Sequence, residues 1–231
     1  MKWSILTASL MVLLLAGVAL FPTFERRLPP NSLPWRPVAL DAPPGWLAHW
    51  QMHQLKSDGN RCRAALVGAR IAFSPMADQR IGSACGYTDV VRLDHPPVSL
   101  GNKPPATCAL AAALVWYQGL LQQAASAHMQ SDLERIDHVG VFACRNVNND
   151  KNGSRSQHAV ANAIDVTSFH FADGRVANVT RDYGKPTPQG RFLAAAHDAA
   201  CTVFNGVLGP DYNRLHATHF HLDMGPYGIC R

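Results

Sequence analysis

Nineteen consecutive residues near the start of the chain, Trp3 to Phe21, carry no charge and are rich in Leu, Val, Ala and Met. As a helix rising 1.5 Å per residue such a run covers about 28 Å, close to the hydrocarbon thickness of a bilayer. Three fates compete for it: an uncleaved membrane anchor, a cleaved export signal, and a buried helix of a soluble fold. A poorly formed small-residue cleavage site and the length of the run favour the anchor. Either of the first two exports the rest of the chain, although Glu25, Arg26 and Arg27 weaken a simple charge argument for orientation.

Residues 1–24 are therefore read as a transmembrane anchor or signal segment. From Pro22 to Pro44 lie seven of the chain's 16 prolines, which predicts an extended, partly polyproline II spacer that holds no helix. Trp35 and Trp46 are the only hints that it packs on anything. The linker is placed at 25–60 and a folded domain at 61–231. With 47% hydrophobic and 16% charged residues in 231, that domain has material for a core, and disorder, collagen-like structure and coiled coil are excluded. A net charge of +5 needs no nucleic acid partner. A phosphate-binding glycine loop, a serine nucleophile elbow and basic-aromatic interleaving are all missing, which speaks against nucleotide and nucleic acid chemistry.

Export decides how the six cysteines are read. Cys62, Cys85, Cys108, Cys144, Cys201 and Cys230 contain no CxxC spacing, and an oxidising compartment makes them disulfides rather than zinc thiolates. Pairing of sequence neighbours is the default: Cys62 with Cys85, Cys108 with Cys144, Cys201 with Cys230.

Periodicity gives an α+β outline, a small antiparallel sheet with helices packed on it. Ala106 to Ala127 reads as the central helix, capped by Thr107. Pro188 to Phe204 reads as a second helix. Strands are expected at Arg70 to Ser74, Val139 to Arg145, Ala163 to Phe171 and His219 to Met224, with a hairpin turn at Asp173 and Gly174 leading into Arg175 to Val179.

The histidines carry the chemistry. His158 and Asp165 lie seven residues apart in SQHAVANAIDV, and His219 and His221, two apart on a strand, direct both rings to one face. A lone histidine is more often structural, but a His, a carboxylate and a further His form a three-ligand zinc set with a fourth position open to water.

SQHAVANAID followed by HATHFHLDM resembles the SxHxxGxAxD and HxH signatures of the zinc peptidase superfamily of D,D-carboxypeptidases, penicillin-insensitive murein endopeptidases and hedgehog signalling domains. CGY at Cys85, the CALAAALVWY helix, FACR ending at Arg145, Cys201 and VLGPDYNRLHATHFHLDM are similar to the bacterial extensin-like C-terminal domain family, over roughly Cys62 to Arg231. The resemblance implies a D,D-peptidase (hedgehog-like) fold, Zn2+ held by His158, Asp165 and His221, and His219 beside the bound water. It also implies His216 as general base, a position where carboxypeptidases use an acidic residue; none stands at Arg214, Leu215, Ala217 or Thr218, and Asp211 is a weaker candidate. Arg145 is expected to hold an oxyanion or a substrate carboxylate, or else to form a structural ion pair. Ser156 is expected to bind substrate, fix His158, or simply cap its loop. Two positions depart from the family pattern: Ala161 stands for glycine, which matters only if that backbone needs positive φ, and Gln157 stands for glutamate.

The implied activity is zinc-dependent hydrolysis of amide bonds in peptidoglycan stem peptides or cross-links. The chain would be a single-pass inner-membrane protein with its domain in the periplasm, or a soluble periplasmic one if the N-terminal segment is cleaved. One competing reading is a silent cell-wall or protein-binding module that keeps a structural zinc. Another is a histidine cluster without metal.

Overall fold

The computed structural model describes residues 2–82 and 84–231, with the backbone alone described for residues 2–9 and 13. In chain order the elements are helices α1 (Lys2–Glu25), α2 (Ala48–Ser57) and α3 (Gly59–Gly68), then strands β1 (Phe73–Pro75), β2 (Gln79–Ile81), β3 (Cys85–Tyr87), β4 (Val90–Leu93) and β5 (Ala106–Thr107). Next come helix α4 (Cys108–Met129), strands β6 (Leu133–His138), β7 (Ala163–Phe171) and β8 (Val176–Asn178), and helices α5 (Val179–Asp182) and α6 (Pro188–Cys201). Strands β9 (Gly206–Leu208), β10 (Phe220–Asp223) and β11 (Ile229–Cys230) close the chain. The fold is mixed α and β, with small, mostly antiparallel sheets.

Helix α4 is the spine. Alanines and leucines bury it on nearly every side, as an apolar helix in the middle of a domain requires, and Thr107 caps its first turn by accepting from Leu110 N. Its polar side chains are satisfied individually: Gln118 brackets both backbone groups of Val98, and the Tyr117 hydroxyl donates to Ala196 O on α6.

The main sheet has the order β11-β9-β10-β7-β6, and β8 pairs with the far half of β7. All its pairs are antiparallel except β9 with β11. Along β7 the side-chain alternation changes phase. Asp137 pairs with Ser168 while His138 pairs with Val166, leaving Thr167 as an extra residue, a β-bulge. Ile164 and Val166 before the bulge, and Phe169 and Phe171 after it, thereby all enter the core, where both phenylalanine rings meet Phe192 of α6 edge-on. Asp165 is left on the opposite face.

Several expectations are corrected. Val139 to Arg145 forms no strand: Gly140 takes φ 140°, and only isolated bonds such as Val139 N to Asp165 O remain, so the segment bends around the sheet edge. Strand β6 precedes it instead, and β1 overlaps the expected strand at Arg70 to Ser74 only at Phe73 and Ser74. The Pro-rich stretch is no extended spacer. Helix α1 runs through Pro22 in its last turn, where the missing N–H gives up one bond to the carbonyl four residues earlier. Buried Asn31 then ties residues 31–43 into a loop through Ala39 and Pro43, and Trp116 Nε1 donates to Ala42 O. Val38, Leu40 and, on α2, Met52 and Leu55 join the core, while Trp35 and Trp46 are exposed. Among the described residues no helix is long and apolar enough to cross a membrane, and the opening part of the expected span lies outside the residues whose side chains are described.

The disulfides are Cys62–Cys108, Cys85–Cys144 and Cys201–Cys230. Neighbour pairing fails for the first four because α3 packs on α4, bringing Cys62 to the first residue of that helix, and β3 lies against the loop that carries Cys144. Peptide mapping of the unreduced chain is expected to return these three pairs. The Cys85–Cys144 bond spans 59 residues, a closure with a chain-entropy contribution of about 4 kcal/mol. Its double replacement by serine should lower denaturant stability by that order.

Candidate metal centre and its cavity

Strands β7 and β10 pair with His221 directly opposite Asp165. Cross-strand partners share a face, so the register alone brings imidazole and carboxylate together. His158 comes from a 3₁₀ turn, Gln157–Val160, immediately before β7, and the three residues are buried. His158 Nε2 lies 3.2 Å from His221 Nδ1 and 3.1 Å from Asp165 Oδ1, and His221 Nδ1 lies 2.9 Å from the same oxygen. The three atoms form a group that could hold a metal ion.

The second nitrogen of each ring is already engaged. His158 Nδ1 lies 2.9 Å from Val141 O, which can only accept, so Nδ1 carries the proton and Nε2 presents a lone pair to the common point. His221 Nε2 lies 2.9 Å from Asp223 Oδ2 and its Nδ1 faces that point. Two imidazole nitrogens and a carboxylate oxygen suit zinc, and a tetrahedral zinc with bonds near 2.05 Å sets its ligand atoms about 3.3 Å apart. The edges of 2.9–3.2 Å nearly match. Electrostatics agree. Burial of Asp165 is outweighed by the adjacent His158 and His221 imidazoles, which hold its carboxyl well below the usual range. Burial of His221 is likewise outweighed by its bonds to Asp165 and Asp223, raising it to about 9, so without a metal a proton occupies the shared point.

The open side faces a cavity of about 410 Å³ lined by Arg145, Ser156, Asp165, His216, His219 and His221, among others. His219 Nε2 is 3.6 Å from Asp165 Oδ1. His216 lies on a 3₁₀ turn, Arg214–His216, with its ring centre 5.4 Å from that of His219 and 5.9 Å from that of His221. Its Nδ1 is 2.9 Å from Asn213 Oδ1, an oxygen that also accepts from Leu215 N, so Nδ1 donates and Nε2 is unprotonated. Burial, helped by the nearby His219 and His221, pushes His216 down to about 4, and His219 is lowered chiefly by burial. Asp211 accepts from the Tyr183 hydroxyl at 2.8 Å and does not line the cavity. Arg145, held in an irregular loop rather than at a strand end, approaches Asp165 Oδ2 at 3.8 Å with a third of its side chain exposed. Ser156 caps the turn of His158 by accepting from its N–H, and its own N–H bonds Arg145 O.

Sequence reasoning did not single out Asp223, Asn213 or Tyr227. The first had a signal: in HFHLDM it follows His221 by two residues and so shares its strand face. The Asn213 oxygen, the Val141 carbonyl and the Tyr227 hydroxyl reach the site from loops without periodicity. A larger hollow of about 970 Å³ lies behind the His158 turn, between the β2–β3 hairpin and the start of α4, and shares only Gln157 with the first. Its described lining contains no histidine, so size does not mark the chemistry. A second ligand-like group, His197 with Cys201 and Cys230, has its sulfurs committed to a disulfide.

The two positions singled out in the expected motif, Gln157 and Ala161, each have a definite structural setting. Gln157 Oε1 accepts from Asn162 Nδ2 at 2.6 Å, and Asn162 Oδ1 accepts from the Thr107 hydroxyl at 2.8 Å, so a neutral amide meets the same acceptor duty as a glutamate. Ala161 ends the His158 turn at φ 55°, ψ 35°, the left-handed region, with its side chain wholly buried. That conformation costs a non-glycine residue about 1–2 kcal/mol. Ala161→Gly relieves this while losing a buried methyl, and should leave thermal stability nearly unchanged; Ala161→Val, β-branched at the same φ, should destabilise by about 2 kcal/mol or more in denaturant titration.

No curated protein and no solved structure matches the chain. The model of the family described as extensin-like protein C-terminus matches residues 60–231, which contain every residue of this centre. On that match, the chain belongs to the extensin-like C-terminal family.

Proposed function

We propose that the chain is a zinc-dependent peptidase that hydrolyses amide bonds of peptidoglycan stem peptides or cross-links in the cell envelope, and that it belongs to the zinc D,D-peptidase type of fold. The observation that carries this reading is the convergence of two proton-free imidazole nitrogens beside one cavity: His158 Nε2 at the three-atom point and His216 Nε2 next to it. A structural metal site needs the first but has no use for the second. That contrast favours the enzyme over a silent wall-binding module.

In this reading His158, Asp165 and His221 hold the metal. Zinc, when bound there, supplies Lewis-acid polarisation of a carbonyl and acidifies water. His216 accepts a proton at Nε2 and later returns it to the leaving amine; with its pKa near 4 it is neutral at pH 7, as a base must be before the reaction. Asn213 holds the opposite nitrogen and so keeps the basic one pointed away from the turn. Arg145 and His219 line the cavity where negative charge develops or where a substrate carboxylate sits. The reading places the domain in the periplasm, where disulfides such as its three persist, and keeps a membrane anchor or export signal as the role of the N-terminal segment.

The test pairs metal analysis with digestion of muropeptides. His216→Ala should lower kcat by about 10²–10⁴-fold with zinc content unchanged, and Asn213→Ala should act in the same direction more weakly. His158→Ala and His221→Ala should abolish both zinc and turnover. Zinc bound at one equivalent without cleavage of any muropeptide would instead assign the chain to the binding module.

A further inference from the structure

Asp223 is a carboxylate with no exposure at all, in a position that neither ligates nor lines the cavity. Burying a charge in this way is costly unless every lone pair is used and a positive partner is near. Its bonds account for it. Oδ2 accepts from His221 Nε2 at 2.9 Å and from the Tyr227 hydroxyl at 2.8 Å, and Oδ1 accepts from Gly225 N at 2.6 Å.

The backbone is shaped to admit it. Gly206, its cross-strand partner on β9, has ordinary backbone angles, yet a Cβ there would overlap the carboxylate. A Cβ on Gly225 would meet Asp223 Oδ1 at 2.8 Å and the Tyr227 ring at 2.7 Å. Two glycines are thus needed for the space the carboxylate fills.

We infer that Asp223 is a positioning residue: it holds the His221 proton on Nε2, turns Nδ1 toward His158 and Asp165, and thereby sets the metal affinity of the centre without touching the metal. A carboxylate behind a ligating imidazole fixes the ring's tautomer and orientation and raises its basicity. His158 has only the neutral Val141 carbonyl in the equivalent place. The two histidine ligands therefore differ, and His221 is the stronger donor.

The inference rests on the metal reading of the site, and the test separates the two. In the full-length chain, zinc affinity is measured by competition with a chromophoric chelator. Asp223→Asn keeps the shape and removes the charge, and should weaken zinc binding about 10–100-fold, read at a temperature where circular dichroism shows the metal-free variant folded. Gly206→Ala, which alters no polar side chain, should weaken zinc in the same sense by displacing the carboxylate. Should neither variant fold, nitrogen-15 NMR of the zinc-loaded wild type decides: His221 should carry its proton on Nε2 and ligate through Nδ1. An affinity for Asp223→Asn within twofold of wild type, or zinc found on Nε2, overturns the role of Asp223 and leaves the metal site standing. A wild-type chain that takes up no zinc overturns both.

Discussion

The pairing of β7 with β10 is the constraint on which the centre depends. Register places His221 opposite Asp165, and on the other side of β10 the ladder with β9 sets Asp223 beside Gly206, which leaves room for its carboxylate. A slip by one residue would turn Phe220 and Leu222 out of the core and every polar side chain of β10 into it. Both of those apolar residues are fully buried. Hydrophobic burial thus enforces the geometry of the site: the polar face cannot move while the apolar face stays packed. The bulge at Thr167 extends the arrangement, since it lets β7 feed Phe169 and Phe171 to α6 after having pointed Asp165 the other way.

Much of this was legible in the sequence where periodicity is strong. Strand β7 was expected with its observed bounds, α4 within two residues, and the cap at Thr107 as it stands. The expected set His158, Asp165 and His221 does come together in space. What escaped had no local signal. The apolar residues of Val139 to Arg145 have strand composition, but a glycine at φ 140° and the absence of a continuous partner remove the ladder on which strand propensity depends. Cysteine pairing followed helix packing, not chain distance. The Pro-rich stretch misled because proline excludes regular hydrogen bonding without excluding compaction: one buried asparagine closes the loop by side-chain bonds that no proline can supply.

Ala161 shows how a position beside the site is set by backbone before chemistry. Two residues, Ala161 and Asn162, separate the His158 turn from β7, and the left-handed conformation at Ala161 reverses the chain there. Alanine accepts it with a small penalty because its methyl is buried in the core, so the turn survives and the ligand stays in place. The neighbouring change at Gln157 is tolerated for a different reason. Its partner Asn162 asks for an acceptor oxygen, which amide and carboxylate both provide.

Electrostatics bear on why a histidine rather than a carboxylate stands at position 216. The buried region already contains two carboxylates, Asp165 and Asp223, both in contact with His221. A third carboxylate beside them would be held neutral by like-charge repulsion or would compete for the same cation. Asp211, the acidic residue closest in sequence to His216, is bound to Tyr183 and directed elsewhere. A histidine avoids the conflict, because its working form is uncharged. Burial and its cationic neighbours hold it in that form at pH 7, and the Asn213 oxygen settles which nitrogen is free. Under the proposed mechanism, the same crowding that would disable an acidic base prepares this one.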